Sequence, residues 1–215
     1  CGYFLIAGIL YLSVFPGIYF VSSLLLTKGI VLRPKLLRDF QMDFYNDRGY
    51  RKIWQVQKDC IRADDRLIYI PRLGRCHFTN AEFDTTLHFD HEGRVRNSMP
   101  KQHSEIGIAV LGDSYAMGWG VNDRETFANV LQEELKRPVY NLAVSSYGTV
   151  RELLRLQQSG LIDKVDTIFV QYAANDLMEN AALDQEDKFL QAKALFQETL
   201  NRERSSSDHS MLESV

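Results

Sequence analysis

The chain has 215 residues, of which 45% are hydrophobic and 25% are charged, and its formal net charge is −3. This length accommodates one domain with an appendage. So small a net charge lends no support to a nucleic-acid partner or to a strongly charged substrate, and we expect neither.

The first 27 residues are predicted to form a transmembrane helix. Residues 2–27 contain no charged side chain and are mostly Leu, Ile, Val, Phe and Tyr, and about twenty such residues span a bilayer core as a helix. A signal peptide is the alternative, but its apolar core is shorter, so we favour an uncleaved anchor in the lipid bilayer. Since the chain begins with Cys1, we expect its natural N-terminus to lie upstream.

Residues 28–103 are predicted to be a juxtamembrane segment followed by a small β-rich lead-in. Residues 83–89 alternate apolar and polar side chains, which is typical of a half-buried strand, and residues 67–70 favour another strand. Cys60 and Cys76 are interpreted as a disulfide, which would indicate an oxidising compartment, in preference to the alternative of two separate thiols. Three histidines of this region could suggest a metal cluster but lack the spacing of a metal site, so we expect no bound metal and interpret them as surface residues: His77, His88 and His91.

Residues 104–204 have the pattern of an α/β domain. Apolar runs at 106–111, 139–144 and 167–172 predict strands, and helices are predicted between them over 126–136 and 150–158. This βαβαβ order predicts a parallel sheet. Further on, residues 186–202 predict a surface helix and residues 205–215 a disordered tail. We expect the two inner helices to bury these apolar side chains: Phe127, Val130, Leu131 and Leu135 in the first, and Val150, Leu153 and Leu154 in the second.

Three polar motifs follow or end the three predicted strands. They are Gly112-Asp113-Ser114, residues 141–148 (Asn-Leu-Ala-Val-Ser-Ser-Tyr-Gly) and residues 173–176 (Ala-Ala-Asn-Asp). Because the carboxyl ends of parallel strands meet at one edge of a sheet, we expect the motifs to line one crevice. A sharp turn that ends in Ser after a strand is a way to present a nucleophile. The alternative is that the polar residues only cap helices: Asp113, Asn175 and Asp176.

In this order the motifs resemble the SGNH (GDSL-type) serine hydrolase superfamily over about residues 106–180. The resemblance implies a partial flavodoxin-like three-layer sandwich with a parallel sheet. It also implies Ser114 as the nucleophile and an oxyanion hole formed by the Asn175 side chain and a backbone N–H of Ser146 or Gly148. The family's C-terminal Asp-x-x-His is absent, and His209, the only histidine after Ser114, is interpreted as a solvated side chain. We therefore expect a hydrolase domain that is incomplete at its C-terminus.

The resemblance implies a membrane-tethered serine esterase or acyl-transfer hydrolase that needs no cofactor. Its substrate would be an ester, with an O-acetyl group favoured, on a carbohydrate or a lipid. The alternative is a catalytically inactive binding or scaffold protein at the membrane. Membrane-tethered relatives mostly face the periplasm or the cell exterior, and we expect the same here. Basic residues after the predicted span favour the cytoplasm instead by the positive-inside rule: Lys28, Arg33, Lys35 and Arg38.

Overall fold

The structure is a computed structural model that describes residues 52–95 and 106–212, with side chains up to residue 198 and at 201, and six isolated earlier positions: 17, 21, 25, 30, 38 and 41. The chain divides into two compact units, which we describe separately. The predicted transmembrane helix over 1–27 lies almost entirely outside the described residues. Among the residues that are described, no helix combines the length and the apolar character needed to cross a bilayer.

The smaller unit comprises residues 1–52 and 79–84. Within this unit, two hydrogen bonds join Lys52 to Asn80. The Lys52 N–H donates to Asn80 Oδ1 at 2.8 Å, and Asn80 Nδ2 donates to the Lys52 carbonyl at 3.1 Å. The larger unit comprises residues 53–78 and 85–215, and it contains all three motifs identified in the sequence.

A two-stranded antiparallel sheet comes first in the larger unit, after a 3₁₀ turn at Trp54–Val56. Strand β1 (Ile61–Asp64) pairs with β2 (Ile68–Pro71), with Ile61 opposite Pro71. Cys60, directly before β1, is disulfide-bonded to Cys76, and their Cα atoms are 4.9 Å apart. Of the two interpretations of these cysteines, the structure therefore contains the disulfide.

The main sheet has six strands in the order β3-β4-β5-β7-β6-β8. Strand β6 runs parallel to both of its neighbours, whereas β5 is antiparallel to β4 and to β7. The sheet is therefore mixed, and the architecture is α/β. The strand bounds are β3 (Gly74–Asn80), β4 (Phe83–Asp90), β5 (Gly93–Arg94), β6 (Gly107–Leu111), β7 (Val139–Asn141) and β8 (Val165–Val170).

Strand β5, which falls in the predicted β-rich lead-in, lies directly beside β7 in the main sheet. Arg94 is opposite Asn141 in this pairing. Gly93 makes the close approach possible: its φ is +112°, and a Cβ at this position would lie 2.2 Å from the Asn141 carbonyl oxygen. Only glycine tolerates both conditions. The guanidinium of Arg94 is fully buried and pairs with Asp123 at 2.9 Å.

Five α-helices are present among the described residues: α1 (Ser114–Met117), α2 (Phe127–Leu135), α3 (Thr149–Ser159), α4 (Ala174–Ala182) and α5 (Glu186–Leu212). The first three connect β6 to β7 and β7 to β8. Helix α5 continues to Leu212, so residues 205–212 are helical where the sequence predicted a disordered tail.

Helices α2 and α3 bury faces other than those predicted. Helix α2 exposes Phe127, Val130 and Leu135, and α3 exposes Val150 and Leu153, whereas Leu131 and Leu154 are half-buried. The buried positions are instead largely polar: Ala128, Asn129 and Gln132 in α2, and Arg151, Glu152 and Leu156 in α3. In α2 the reason is hydrogen bonding at the sheet, because Gln132 Oε1 accepts from the Val139 N–H at 3.2 Å. Buried backbone groups need such partners.

The core of the α/β unit lies between β6, β7 and α3. It is formed by Ala109, Leu111, Tyr140, Leu142, Leu156 and Leu161. Strand β8 lies at the edge of the described sheet, and its apolar side chains remain between 43% and 46% exposed: Ile168, Phe169 and Val170. The packed core therefore supports the ends of β6 and β7 on one side, while β8 is supported mainly through its pairing with β6.

Candidate functional site

Ser114 lies where β6 turns sharply into α1. Gly112, between them, has a φ of +151°, and a Cβ there would lie 2.7 Å from the Ala116 Cβ. A side chain would block the turn, so this position requires glycine. Asp113 accepts the Tyr115 N–H at 2.9 Å and thus caps the helix. Ser114 is half-buried as the first residue of α1.

Two amides that the motif interpretation did not assign hold this turn in place. Gln171, just after β8, accepts the N–H groups of Asp113 at 3.4 Å and of Ala116 at 3.3 Å. Asn141, at the end of β7, donates from Nδ2 to the Ala116 carbonyl at 3.0 Å. The Ser114 turn is therefore tied to both neighbouring strands. No sequence signal distinguishes Gln171, because its role depends on β8 lying next to β6.

The second motif extends the pairing of β7 with β6 and then turns away. The Val144 N–H donates to the Gly112 carbonyl at 3.0 Å, which places this loop directly beside the Ser114 turn. Ser146 follows with a φ of +60°, in the left-handed region. Its N–H has no hydrogen-bond acceptor within the described part of the chain. Gln55 Nε2 donates to its hydroxyl.

Gly148 has a different environment from Ser146. The Glu179 carboxylate lies directly against its backbone, because a Cβ at this position would lie 2.2 Å from Glu179 Oε2. The glycine is thus explained by close packing against α4. Because Glu179 packs directly against the Gly148 backbone, the geometry favours Ser146 over Gly148 as a backbone donor open to a ligand.

The third motif begins helix α4. Ala173 precedes the helix, and its N–H donates to Asp176 Oδ2 at 3.0 Å. Asp176 is completely buried, whereas Asn175 is exposed in the first turn. Of the helix caps considered as an alternative, Asp176 and Asp113 are caps in the structure. Asn175 is not used in this way, so its side-chain amide is left for another role.

Ser114, Ser146 and Asn175 all follow parallel strands at the same edge of the sheet. They come after β6, β7 and β8 respectively. Strands β7 and β8 flank β6, the strand that leads to Ser114. The two candidate oxyanion donors, Ser146 and Asn175, therefore follow the strands on opposite sides of β6. This is the edge at which open α/β sheets bind ligands.

Among the described residues, no side chain is hydrogen-bonded to the Ser114 hydroxyl as a general base would be. No hydrogen bond joins the Ser114 hydroxyl to a histidine there. His77 and His88 lie on β3 and β4, and His91 lies in the turn between β4 and β5. The side chain of His209 lies outside the described ones. The described residues also contain no group of three or more His, Cys, Asp or Glu side chains that could hold a metal ion.

A group of acidic side chains lies behind the three loops. Glu152 on α3 is 1% exposed, and both of its carboxyl oxygens lack a hydrogen-bond partner. Burial, together with the nearby charges of Asp176, Asp113 and Glu179, raises its pKa to about 8. Glu152 is therefore mostly protonated at neutral pH, since its neighbours and its burial both oppose a further negative charge.

Comparison with known proteins returns no match among family models, curated proteins or solved structures.

Proposed function

We propose that the chain is a serine esterase or acyl-transfer hydrolase of the SGNH type. The observation that carries the proposal is the placement of Ser114 on a glycine-dependent turn, with Ser146 and Asn175 following the two adjacent strands. A nucleophile that projects from a strand-to-helix turn, with hydrogen-bond donors on the neighbouring loops, is the arrangement that acyl transfer requires.

The order β7-β6-β8 supports a partial flavodoxin-like fold. In that fold the first strand lies between the second and the third, and ligands bind where the connections diverge to opposite sides. Here β6, β7 and β8 take these three positions. The finer assignment to an SGNH sandwich remains part of the proposal.

In the proposed reaction Ser114 Oγ forms a bond to the acyl carbon while a general base removes its proton. The carbonyl oxygen becomes an oxyanion that accepts hydrogen bonds from the Ser146 N–H, the Ser114 N–H and the Asn175 amide. The bond to the alcohol then breaks, and the alcohol leaves with a proton. Water, or the hydroxyl of an acceptor molecule, attacks the acyl-serine and releases the acyl group. The base is the component that the described residues do not supply.

The proposed substrate is an ester, in particular an O-acetyl group, on a carbohydrate or a lipid outside the cytoplasm. The disulfide between Cys60 and Cys76 supports an oxidising compartment. The uncharged run of residues 2–27 supports a membrane tether. Location and substrate both remain proposals.

The test compares the natural full-length protein with its Ser114→Ala variant, using hydrolysis of p-nitrophenyl acetate and covalent labelling by a fluorophosphonate. Ser159→Ala is the matched control, because Ser159 is also half-buried but lies at the far end of α3. We expect labelling and turnover in the wild type and in the control, and neither in Ser114→Ala. Equal turnover in all three proteins would refute the assignment of Ser114.

A second candidate function is a non-catalytic binding or scaffold protein at the membrane. The observation that favours it is the absence of a base beside Ser114 in the described residues. This candidate predicts that the wild type is not labelled by the fluorophosphonate and that its turnover equals that of Ser114→Ala. The same experiment therefore separates the two functions.

A further inference from the structure

The backbone around Ser146 is held in a conformation that serine does not favour. Its φ of +60° lies in the left-handed region, which non-glycine residues adopt at a cost and keep only where their surroundings hold them. The peptide units on the two sides of Ser146 are each bound by a different buried side chain.

The first of these side chains is Tyr69 on β2. Its hydroxyl donates to the Ser145 carbonyl at 2.7 Å. That carbonyl belongs to the same peptide unit as the Ser146 N–H, and in a trans peptide the two groups point in opposite directions. The hydrogen bond therefore fixes the direction of the Ser146 N–H. Burial raises the pKa of Tyr69 to about 12, so its hydroxyl remains a donor at any working pH.

The second side chain is Arg151 on α3. Its Nη2 donates to the Ser146 carbonyl at 2.6 Å, which holds the peptide unit on the other side of Ser146. The guanidinium also lies over the rings of Tyr147 and Tyr69, with its Cζ at 4.3 and 5.1 Å from their centroids. It forms an ion pair with Glu179 on α4. Arg151 therefore connects the Ser146 loop to the helix that carries Asn175.

We propose that Tyr69 and Arg151 are positioning residues for the oxyanion hole. Together they pin the two peptide units around Ser146, so that its N–H stays fixed and without a protein acceptor. Arg151 also sets the position of this loop relative to α4 and hence relative to Asn175. The inference rests on the proposed esterase function, because only an acyl-transfer reaction uses an oxyanion donor at this place.

Tyr69→Phe tests the proposal, because it removes only the hydroxyl that binds the Ser145 carbonyl. Tyr147→Phe is the matched control: the two rings are 5.5 Å apart, both are buried, and the Tyr147 hydroxyl donates to the Tyr69 carbonyl rather than to the loop. We expect Tyr69→Phe to lower the rate of fluorophosphonate labelling of the full chain about tenfold, less than complete loss of an oxyanion donor. Tyr147→Phe should change it less than about twofold by the same reasoning.

A kinetic and a structural readout distinguish positioning from general destabilisation. Tyr69→Phe should lower kcat for p-nitrophenyl acetate and leave KM unchanged, because the oxyanion exists only after attack. Amide hydrogen exchange of a peptide covering residues 144–148 should accelerate in Tyr69→Phe and stay at the wild-type rate in Tyr147→Phe.

Equal loss of labelling in the two variants, or wild-type exchange in Tyr69→Phe, would overturn the positioning role. Absence of Ser114 labelling in the wild type would refute the esterase proposal and with it the catalytic part of this inference. The exchange measurement alone decides whether Tyr69 pins the loop, so the two failures are distinguishable.

Discussion

Replacing Glu152 by Gln should stabilise the protein at neutral and alkaline pH and have little effect in acid. Glu152 is 1% exposed and its carboxyl oxygens have no hydrogen-bond partner. Its pKa rises from 4.5 to about 8 in the folded protein. The folded state therefore keeps a proton that the unfolded chain releases above about pH 4.5, so this residue makes the free energy of unfolding fall as pH rises from about 4.5 to about 8.

The size of the effect follows from the difference between the two pKa values. Each pH unit in this range lowers the free energy of unfolding by about 1.4 kcal/mol, so the penalty reaches about 3 kcal/mol at pH 7. Glutamine has the shape of the neutral acid and does not ionise. Glu152→Gln should therefore match the wild type near pH 4.5 and exceed it by about 3 kcal/mol at pH 7 by the same calculation.

The assay is urea unfolding of the full chain in a non-ionic detergent, which keeps the apolar residues 2–27 in solution. The fluorescence of the two tryptophans, Trp54 and Trp119, reports the transition between pH 4.5 and 8.5. Glu134→Gln is the control, because Glu134 is exposed on α2. If the free energies of the wild type and of Glu152→Gln change in parallel over this range, the reasoning is refuted.

Three other substitutions follow from the packing. Replacing both Cys60 and Cys76 by Ser should lower the free energy of unfolding by about 3 kcal/mol, because the unfolded chain is then no longer constrained by a cross-link between residues 16 positions apart. Reducing agent should have no effect on the stability of this variant. Arg94→Met should cost about 3 kcal/mol, since it leaves Asp123 without its buried partner, and an unchanged urea midpoint would contradict this. Gly148→Ala should lower the free energy of unfolding by about 2 kcal/mol, because the added methyl group would collide with Glu179. Thermal unfolding measures this effect, and a wild-type melting temperature would contradict it by showing that α4 moves to make room without cost.

The alternation of strands and helices after residue 104 could be predicted because local patterns encode it. The apolar runs correspond to β6, β7 and β8, and Gly112 and Ser114 occupy the expected turn. Because Ser146 and Asn175 come soon after two of these strands in the sequence, their location at one edge of the sheet could also be predicted. The mixed character of the sheet was not predicted, because the pairing of β5 with β7 joins residues 94 and 141 and leaves no local signal.

The buried faces of α2 and α3 were predicted wrongly for a related reason. Apolar periodicity points to Val150 and Leu153, yet the structure buries Arg151 and Glu152 instead. Arg151 is stabilised there by the Ser146 carbonyl, by the tyrosine rings and by Glu179. These partners come from distant parts of the chain, so hydropathy counted along one helix could not reveal them.

The amino-acid sequence by itself determined where the strands, the turn at Ser114 and the candidate donors occur, because backbone preference and hydrophobic periodicity act over a few residues. Tertiary structure decided which of these groups are free to react. It packed Glu179 against the Gly148 backbone, made Asp176 a cap, and surrounded Ser146 with Tyr69 and Arg151. These outcomes depend on contacts between residues far apart in the chain, because a buried polar group is stabilised by a hydrogen-bond partner that tertiary packing supplies.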